Sequence, residues 1–280
     1  MGLRINTNMA AMAANRALSH AAADQAKTYQ RLASGQRITN AGDDAAGLSI
    51  SENLRTQIRS MGQAERNAND GVSFVQVAEG GLNEIGNMLI RMRELSVQAA
   101  SDTIGDKERG FVNQEVKSLA TEVNRIANST TYNGTSLLNG DSSKSELQFQ
   151  VGIRKEKNDS DRIVFKPNEY NVKTDSLGIE GMNFESVDGA REAMDKLDMG
   201  ISKVFETRAK LGAVQNKLQA TISNLGVAKE NLSAARSRIA DTDVAAETSE
   251  LVKGNILQSA GIAVLSQANQ APTAALRLLG

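Results

Sequence analysis

Between Met194 and Ile239 the chain keeps one spacing, in which steps of three and four residues alternate through positions 194, 197, 201, 204, 208, 211, 215, 218, 222, 225, 229, 232, 236 and 239. These positions read Met, Leu, Ile, Val, Arg, Leu, Gln, Leu, Ile, Leu, Lys, Leu, Arg and Ile; ten of the fourteen are apolar, which marks the seam of a coiled coil. The two prolines of the chain, Pro167 and Pro272, both lie outside it, so nothing there breaks a helix. A helix over about 190 to 240 spans roughly 75 Å at 1.5 Å per residue. That length suits a rod and not a globule.

The N-terminal half carries matching seams. Val75, Ala78, Leu82, Ile85, Leu89, Met92, Ser96 and Ala99 form one, and Val112, Val116, Leu119, Val123 and Ile126 another. Between them Ser101, Asp102, Thr103, Ile104, Gly105 and Asp106 combine turn and capping types, which predicts an antiparallel helical hairpin. The helix after 190 closes the bundle. The pattern then changes: Leu147, Phe149, Val151 and Ile153 alternate with polar residues or glycine, a charged stretch runs from Arg154 to Arg162, and Ile163, Val164 and Phe165 follow. This is the period of a β-hairpin. Five of the nine aromatic residues (Tyr132, Phe149, Phe165, Tyr170, Phe184) fall in this non-helical part. The predicted class is mainly α: a long antiparallel helical coiled-coil rod with a small β-hairpin region and paired N- and C-terminal helices.

The two ends stand apart. Residues 1–23 and 251–280 hold four charges, Arg4, Arg16, Lys253 and Arg277, although charged residues make up 23% of the chain. Both are rich in Ala, Asn, Gln, Ser and Leu at helical spacing; Leu257, Val264, Ala271 and Leu278 repeat every seven beside Gly261, Ala268 and Ala275. Such a stripe lets helices approach closely. The uncharged run 254–276 contains Asn255, Gln258, Gln267, Asn269, Gln270 and Pro272, too polar for hydrocarbon. Residues 1–23 lack the uninterrupted apolar core of a cleavable secretory signal. Ordering a residue costs about 1 to 2 kcal/mol of backbone entropy, and alanine buries little area to offset it. The ends are therefore expected to be disordered in the free chain and to become helical only when copies pack together.

Little in the sequence supports catalysis. Without Cys there is no disulfide framework, thiolate zinc site or cysteine nucleophile, and the single His20 has no second imidazole to join it at a metal. Asp43 and Asp44 precede a helical run and read as caps, as do Asp241 and Asp243 with Glu247 beyond. No phosphate-binding glycine loop or serine elbow is present. The net charge of −1 and the absence of aromatics among Arg31, Arg37, Arg55 and Arg59 argue against nucleic-acid binding. No catalytic residue, cofactor or metal is expected.

Longer strings carry more than periodicity does. RLASGQRITNAGDDAAGLSI (31–50), RNANDGVSFVQVAEGGLNEI (66–85) and RMRELSVQAAS (91–101) closely resemble the amino-terminal part of bacterial flagellin; LGAVQNKLQATISNLG (211–226), ENLSAARSRIADTDVAAETSEL (230–251) and QANQAPTAALRLL (268–279) resemble its carboxy-terminal part, and TYNGTSLLNG (131–140) the turn into the β region. The resemblance covers nearly the whole chain. It implies an inner terminal coiled coil, residues 1–40 with 240–280, around which filaments are built. It also implies an outer helical rod, residues 41–239, with the hairpin at about 140–185 and no large outer domain. Filament-core packing then falls on Ile5, Met9, Met12, Leu257, Val264, Ala268 and Leu278. Arg91, Leu95 and Glu115 match positions that pack between subunits and that meet a vertebrate Toll-like receptor for flagellin. The implied function is a structural subunit that self-assembles into the flagellar filament for swimming. It is exported through the flagellar type III apparatus without a cleavable signal peptide and resides outside the cell. Implied partners are further copies, an export chaperone on the C-terminal helices, and the filament cap and hook-junction proteins. Two rivals remain open: a hook-filament junction protein, and a type III-secreted membrane-active helical protein. A hydrolase on a helical scaffold would need a pocket of convergent polar groups.

Overall fold

A computed structural model describes residues 7–141, 146–154 and 161–277, with the side chains of 271–277 left aside. Six helices are described: α1 (Met9–Ser34), α2 (Ala45–Ala99), α3 (Asp106–Ser129), the single turn α4 (Thr174–Leu177), α5 (Val187–Ala240) and α6 (Val244–Arg277). Two antiparallel strand pairs separate α3 from α4: β1 (Thr131–Tyr132) with β2 (Thr135–Ser136), and β3 (Leu147–Gln150) with β4 (Arg162–Phe165). The chain divides into two compact units, one of residues 1–58 and 230–280 and one of residues 59–229. The class expected from the sequence, mainly α with a small β region, is the class observed.

In the unit of residues 59–229, the predicted seams form the core. Val75, Ala78, Leu82, Ile85, Leu89, Met92 and Ala99 of α2 are fully buried, as are Leu197, Leu211 and Leu218 of α5. α2 and α5 run antiparallel: Lys229 meets Glu65 at 2.9 Å, Arg208 meets Glu79 at 3.6 Å, Arg93 meets Asp198 at 2.5 Å, and the Ser96 hydroxyl donates to the Ala190 carbonyl at 2.8 Å. These pairs account for two of the three cations in the α5 seam, Arg208 and Lys229. Arg208 and Lys229 keep their charges at its margin, against carboxylates of α2, while their stems stay in the packing. The turn between α2 and α3 is held by Arg109. Its guanidinium donates to the Ala99 carbonyl at 3.0 Å and the Ser101 carbonyl at 3.2 Å and pairs with Asp106 at 2.9 Å, so a buried charge satisfies an exposed helix end.

The hairpin register is Leu147 opposite Phe165 and Gln150 opposite Arg162. Alternation in the sequence carries the first strand on to Ile153, but pairing stops at Gln150. The amides of Val151 and Gly152 both donate to the Asp161 carbonyl, a bulge that ends the ladder. The Gly152 site is so close to the Asp161 backbone and carboxylate that no side chain fits. The shorter hairpin turns through Asn133 (φ +48°) and Gly134 (φ +76°), the left-handed pair that a two-residue turn requires. The aromatics gather where the strands meet α2: Phe74 makes edge contacts with Tyr132, Phe149 and Phe165, and Phe165 stacks on Tyr170 at 4.4 Å. Replacing Phe165, which is fully buried, by Ala is expected to cost about 3 to 5 kcal/mol. Equilibrium urea unfolding of the Phe165→Ala protein, followed by near-ultraviolet circular dichroism, measures it.

Candidate functional site

The unit formed by the two ends is built on a different balance. Its described buried apolar residues are Ile38 and Ala240. α1 and α6 pair antiparallel: the Asn8 side chain donates to the Ala268 carbonyl at 2.8 Å, Gln25 donates to Asn255 at 2.5 Å, and Arg31 meets Glu247 at 3.7 Å. The faces turned to each other keep the three-four rhythm. On α1 they are Ala11, Ala14, Leu18, Ala21, Gln25 and Thr28; on α6, Leu251, Gly254, Gln258, Gly261, Leu265 and Ala268. Gly261 and Gly254 mark where the helices come closest, because a Cβ at Gly261 would lie 3.2 Å from Leu18 and one at Gly254 3.8 Å from Gln25. Residues 9–34 and 244–277 are thus helical in a single chain, where the sequence predicts order only on assembly. Each helix supplies the other with the partner that an isolated alanine-rich helix lacks.

That pairing covers one face of each helix and no more. Met9 is 65% exposed, Met12 53%, Leu257 52% and Val264 58%; Val252, Ile256 and Ile262 are also more than half exposed. Of the residues expected to pack in a filament core, these four lie on the uncovered faces. Ala268 faces α1 within the pair, and Ile5 and Leu278 fall outside the described residues. Val252, Ile256 and Ile262 were not singled out from the sequence, because the seven-residue count followed the 257–264 line and passed over its neighbours.

In the other unit the structure brings Arg91 and Glu115 together at 3.0 Å, with Glu94 on the same guanidinium at 3.2 Å. The carboxylates raise the Arg91 pKa, Glu115 contributing most. Leu95 does not share this surface: it is 2% exposed and belongs to the core beneath it. Phe111 of α3, at 76% exposed, is the large apolar residue most open to solvent in either unit among those described.

One carboxylate of each pair caps a helix, Asp44 and Asp243, while Asp43 ties back to the loop before it and Asp241 stands in the bridge to Gln36. Asp44 accepts from the Gly47 amide at 2.8 Å and Asp243 from the Ala245 amide at 2.9 Å. Asp43 accepts from the amides of Thr39 and Asn40 and from the Thr39 hydroxyl, and these bonds, the Asn40 amide first, hold its carboxyl below the ordinary value of 3.8. His20 lies exposed on α1. Among the described residues no cluster could hold a metal ion, and no helix is long and apolar enough to cross a membrane. A cavity of about 520 Å³ between the hairpin and α5 is lined by Met61, Ile153, Arg154, Asp161, Lys217 and Thr221 among others; it is open and contains no nucleophile beside a base.

Comparison with known proteins then adds a family. Residues 5–143 match the bacterial flagellin N-terminal helical region and residues 194–279 the bacterial flagellin C-terminal helical region. The flagellin of Halalkalibacterium halodurans is 41% identical over 275 residues, covering 98% of this chain and 99% of that protein. The flagellar filament 33 kDa core protein of Treponema phagedenis is 38% identical over 289 residues, with 98% and 99% covered. The crystal structure of Bacillus cereus flagellin aligns with a TM-score of 0.50 at 28% identity, over 57% of this chain and 88% of that one.

Two outcomes are expected. Gly261→Leu forces α1 and α6 apart, so amide exchange along 9–30 and 250–268 accelerates while residues 74–99 keep their protection. The Asp43 turn contributes stability above the ordinary carboxylate value and loses it as pH falls through the depressed one. Exchange at 39–47 should accordingly accelerate only below about pH 4, and the acid step should vanish in Asp43→Asn.

Proposed function

The chain belongs to the bacterial flagellin family, and from that premise we propose how its surfaces serve a filament. It is a structural subunit of the flagellar filament and not an enzyme; copies of it self-assemble into an extracellular polymer whose rotation drives swimming. Its work is cohesion. A chain that meets its neighbours through two different surfaces generates an open helix whenever the rotation does not close into a ring.

The observation that carries the assignment of surfaces is the row of apolar side chains left uncovered on α1 and α6, Met9, Met12, Leu257 and Val264 among them. We propose that residues 1–40 and 240–280 form the inner layer by packing these faces on neighbouring copies, with Ala268 serving that layer from inside the α1–α6 seam and Ile5 and Leu278 also taking part, and that residues 41–239 form the outer layer. The first limit falls in the break between α1 and α2 and the second at the last residue of α5. Arg91 and Glu115 act at a contact between outer layers, with Leu95 supporting them from below, and the same pair is the surface offered to a vertebrate flagellin-sensing Toll-like receptor. Before assembly the exposed face of α6 is the part that needs shielding, which fits an export chaperone held there during type III secretion. At the ends of the polymer the same terminal faces meet the filament cap and the hook-junction proteins.

Electron microscopy of the purified protein after salt-induced polymerisation tests the reading. Tubular filaments are expected, and their absence under all conditions that polymerise other flagellins overturns it. Leu257→Asp with Val264→Asp should abolish polymer in a sedimentation assay while the far-ultraviolet helical signal stays unchanged. Liposome leakage by the monomer would favour a membrane-active protein instead.

A further inference from the structure

Four helix ends converge where the chain leaves α1 for α2 and α5 for α6, all within the unit of residues 1–58 and 230–280. Gly35 closes α1 in the left-handed conformation (φ +67°), its amide donating to the Arg31 carbonyl. The chain then runs beside the end of α5 as a short antiparallel bridge. Gln36 stands opposite Asp241, the Arg37 amide donates to the Ala240 carbonyl at 2.7 Å, and the Thr242 amide donates to the Gly35 carbonyl at 3.0 Å. Two described side chains also reach across: Arg31 of the last turn of α1 meets Glu247 of the first turn of α6 at 3.7 Å, and Arg37 hydrogen-bonds to α5. The Arg37 guanidinium donates through Nε at 3.2 Å and Nη2 at 2.7 Å to the carbonyl of Ile239, in the last turn of α5, and the same Nη2 lies 3.9 Å from the Asp44 carboxylate. Asp44 in turn caps the first turn of α2 through the Gly47 amide.

A cation at a helix C-terminus and a carboxylate at a helix N-terminus each meet a favourable dipole. Here one guanidinium sits against both: its Nε and Nη2 converge on the Ile239 carbonyl, and its charge makes a longer, partly exposed ion pair with Asp44. Lysine carries the same charge but lacks the two N–H groups in one rigid plane that converge on a single carbonyl. The break after α1 and the break after α5 lie about 200 residues apart in sequence, and the Arg37 guanidinium is hydrogen-bonded across them, to a carbonyl 202 residues on.

We propose that Arg37 is a positioning residue that couples the two helix breaks into a single joint, so that α1 and α6 are presented to neighbouring copies as one element. Without the fork, the backbone bridge and the Arg31–Glu247 pair alone join the breaks, the bridge opens more often, and the terminal pair is held less firmly in one direction of approach.

Hydrogen exchange on the full-length monomer, resolved by residue, tests this directly. In Arg37→Ala, the Thr242 amide and the amides of 239–246 are expected to exchange at least about tenfold faster, although the substitution lies on the other strand of the joint. Exchange along 12–28 and 251–265 stays as in the native protein, which separates a loosened joint from a lost fold. Asp44→Asn loosens 39–48 and leaves Thr242 protected. Arg37→Lys, a milder change should the alanine variant fold poorly, gives the alanine result at Thr242. Acceleration confined to 36–44, or native protection of Thr242 in Arg37→Lys, overturns the proposal. The consequence for assembly rests on the filament reading: Arg37→Lys should raise the concentration needed for polymerisation about tenfold. Failure of the native protein to polymerise would count against that reading and leave the exchange result standing.

Discussion

A helix can bury only the face it turns toward a partner, and α1 and α6 have only each other. In the unit of residues 59–229, α2 is flanked by both α3 and α5, which is why Leu82, Ile85, Leu89 and Met92 reach full burial. Each such side chain contributes about 1.5 to 3 kcal/mol, and none of that burial depends on a neighbouring copy. The unit of the two ends has the opposite balance. Its seam is made of Ala, Gly, Gln and Thr with an occasional Leu, and its larger apolar groups face outward. The distribution of residue sizes thus separates the part that folds for itself from the part kept for contact.

Polar residues inside the seams serve register. A stripe of small residues could slide by one heptad at little cost, since one alanine packs much like the next. Gln25 with Asn255 and Asn8 with the Ala268 carbonyl are matched in one alignment of α1 and α6, and a slip would leave them unpaired. In α2 and α5 the same role falls to Glu65 with Lys229 and Glu79 with Arg208. These pairs are partly exposed, so their direct stabilisation is small. Their value lies in the alignments they disfavour.

How much of this was legible in the sequence depends on whether the partner was local. The α2, α3 and α5 seams show in one chain segment at a time, and the heptad rhythm places them. The early end of β3 did not show, because the bulge depends on Gly152 lying against Asp161 across the hairpin. Leu95 reads as a neighbour of Arg91 on one surface, four residues on, but it belongs to the core that several elements build together, which no spacing within α2 reveals. The helical state of the ends was hidden for the same reason, since neither Ala-rich segment announces the other. Arg37 is the extreme case. Its main acceptor is a backbone carbonyl 202 residues away, and carbonyls leave no mark in a sequence.

Placing the cohesive faces on the unit with the smallest core joins folding to assembly. Any partner that binds the ordered form and not the disordered one adds stability by mass action, growing with its concentration over the dissociation constant. For α1 and α6 that partner is a neighbouring copy. The pair is already helical in the single chain, so each neighbouring copy adds stability to helices that their own shared seam holds with little burial. Within the unit of the two ends, the convergence of four helix ends buries Ile38 and Ala240 and is otherwise built from hydrogen bonds and single charges. Such a joint is directional, since hydrogen bonds fix angles that apolar contact leaves free.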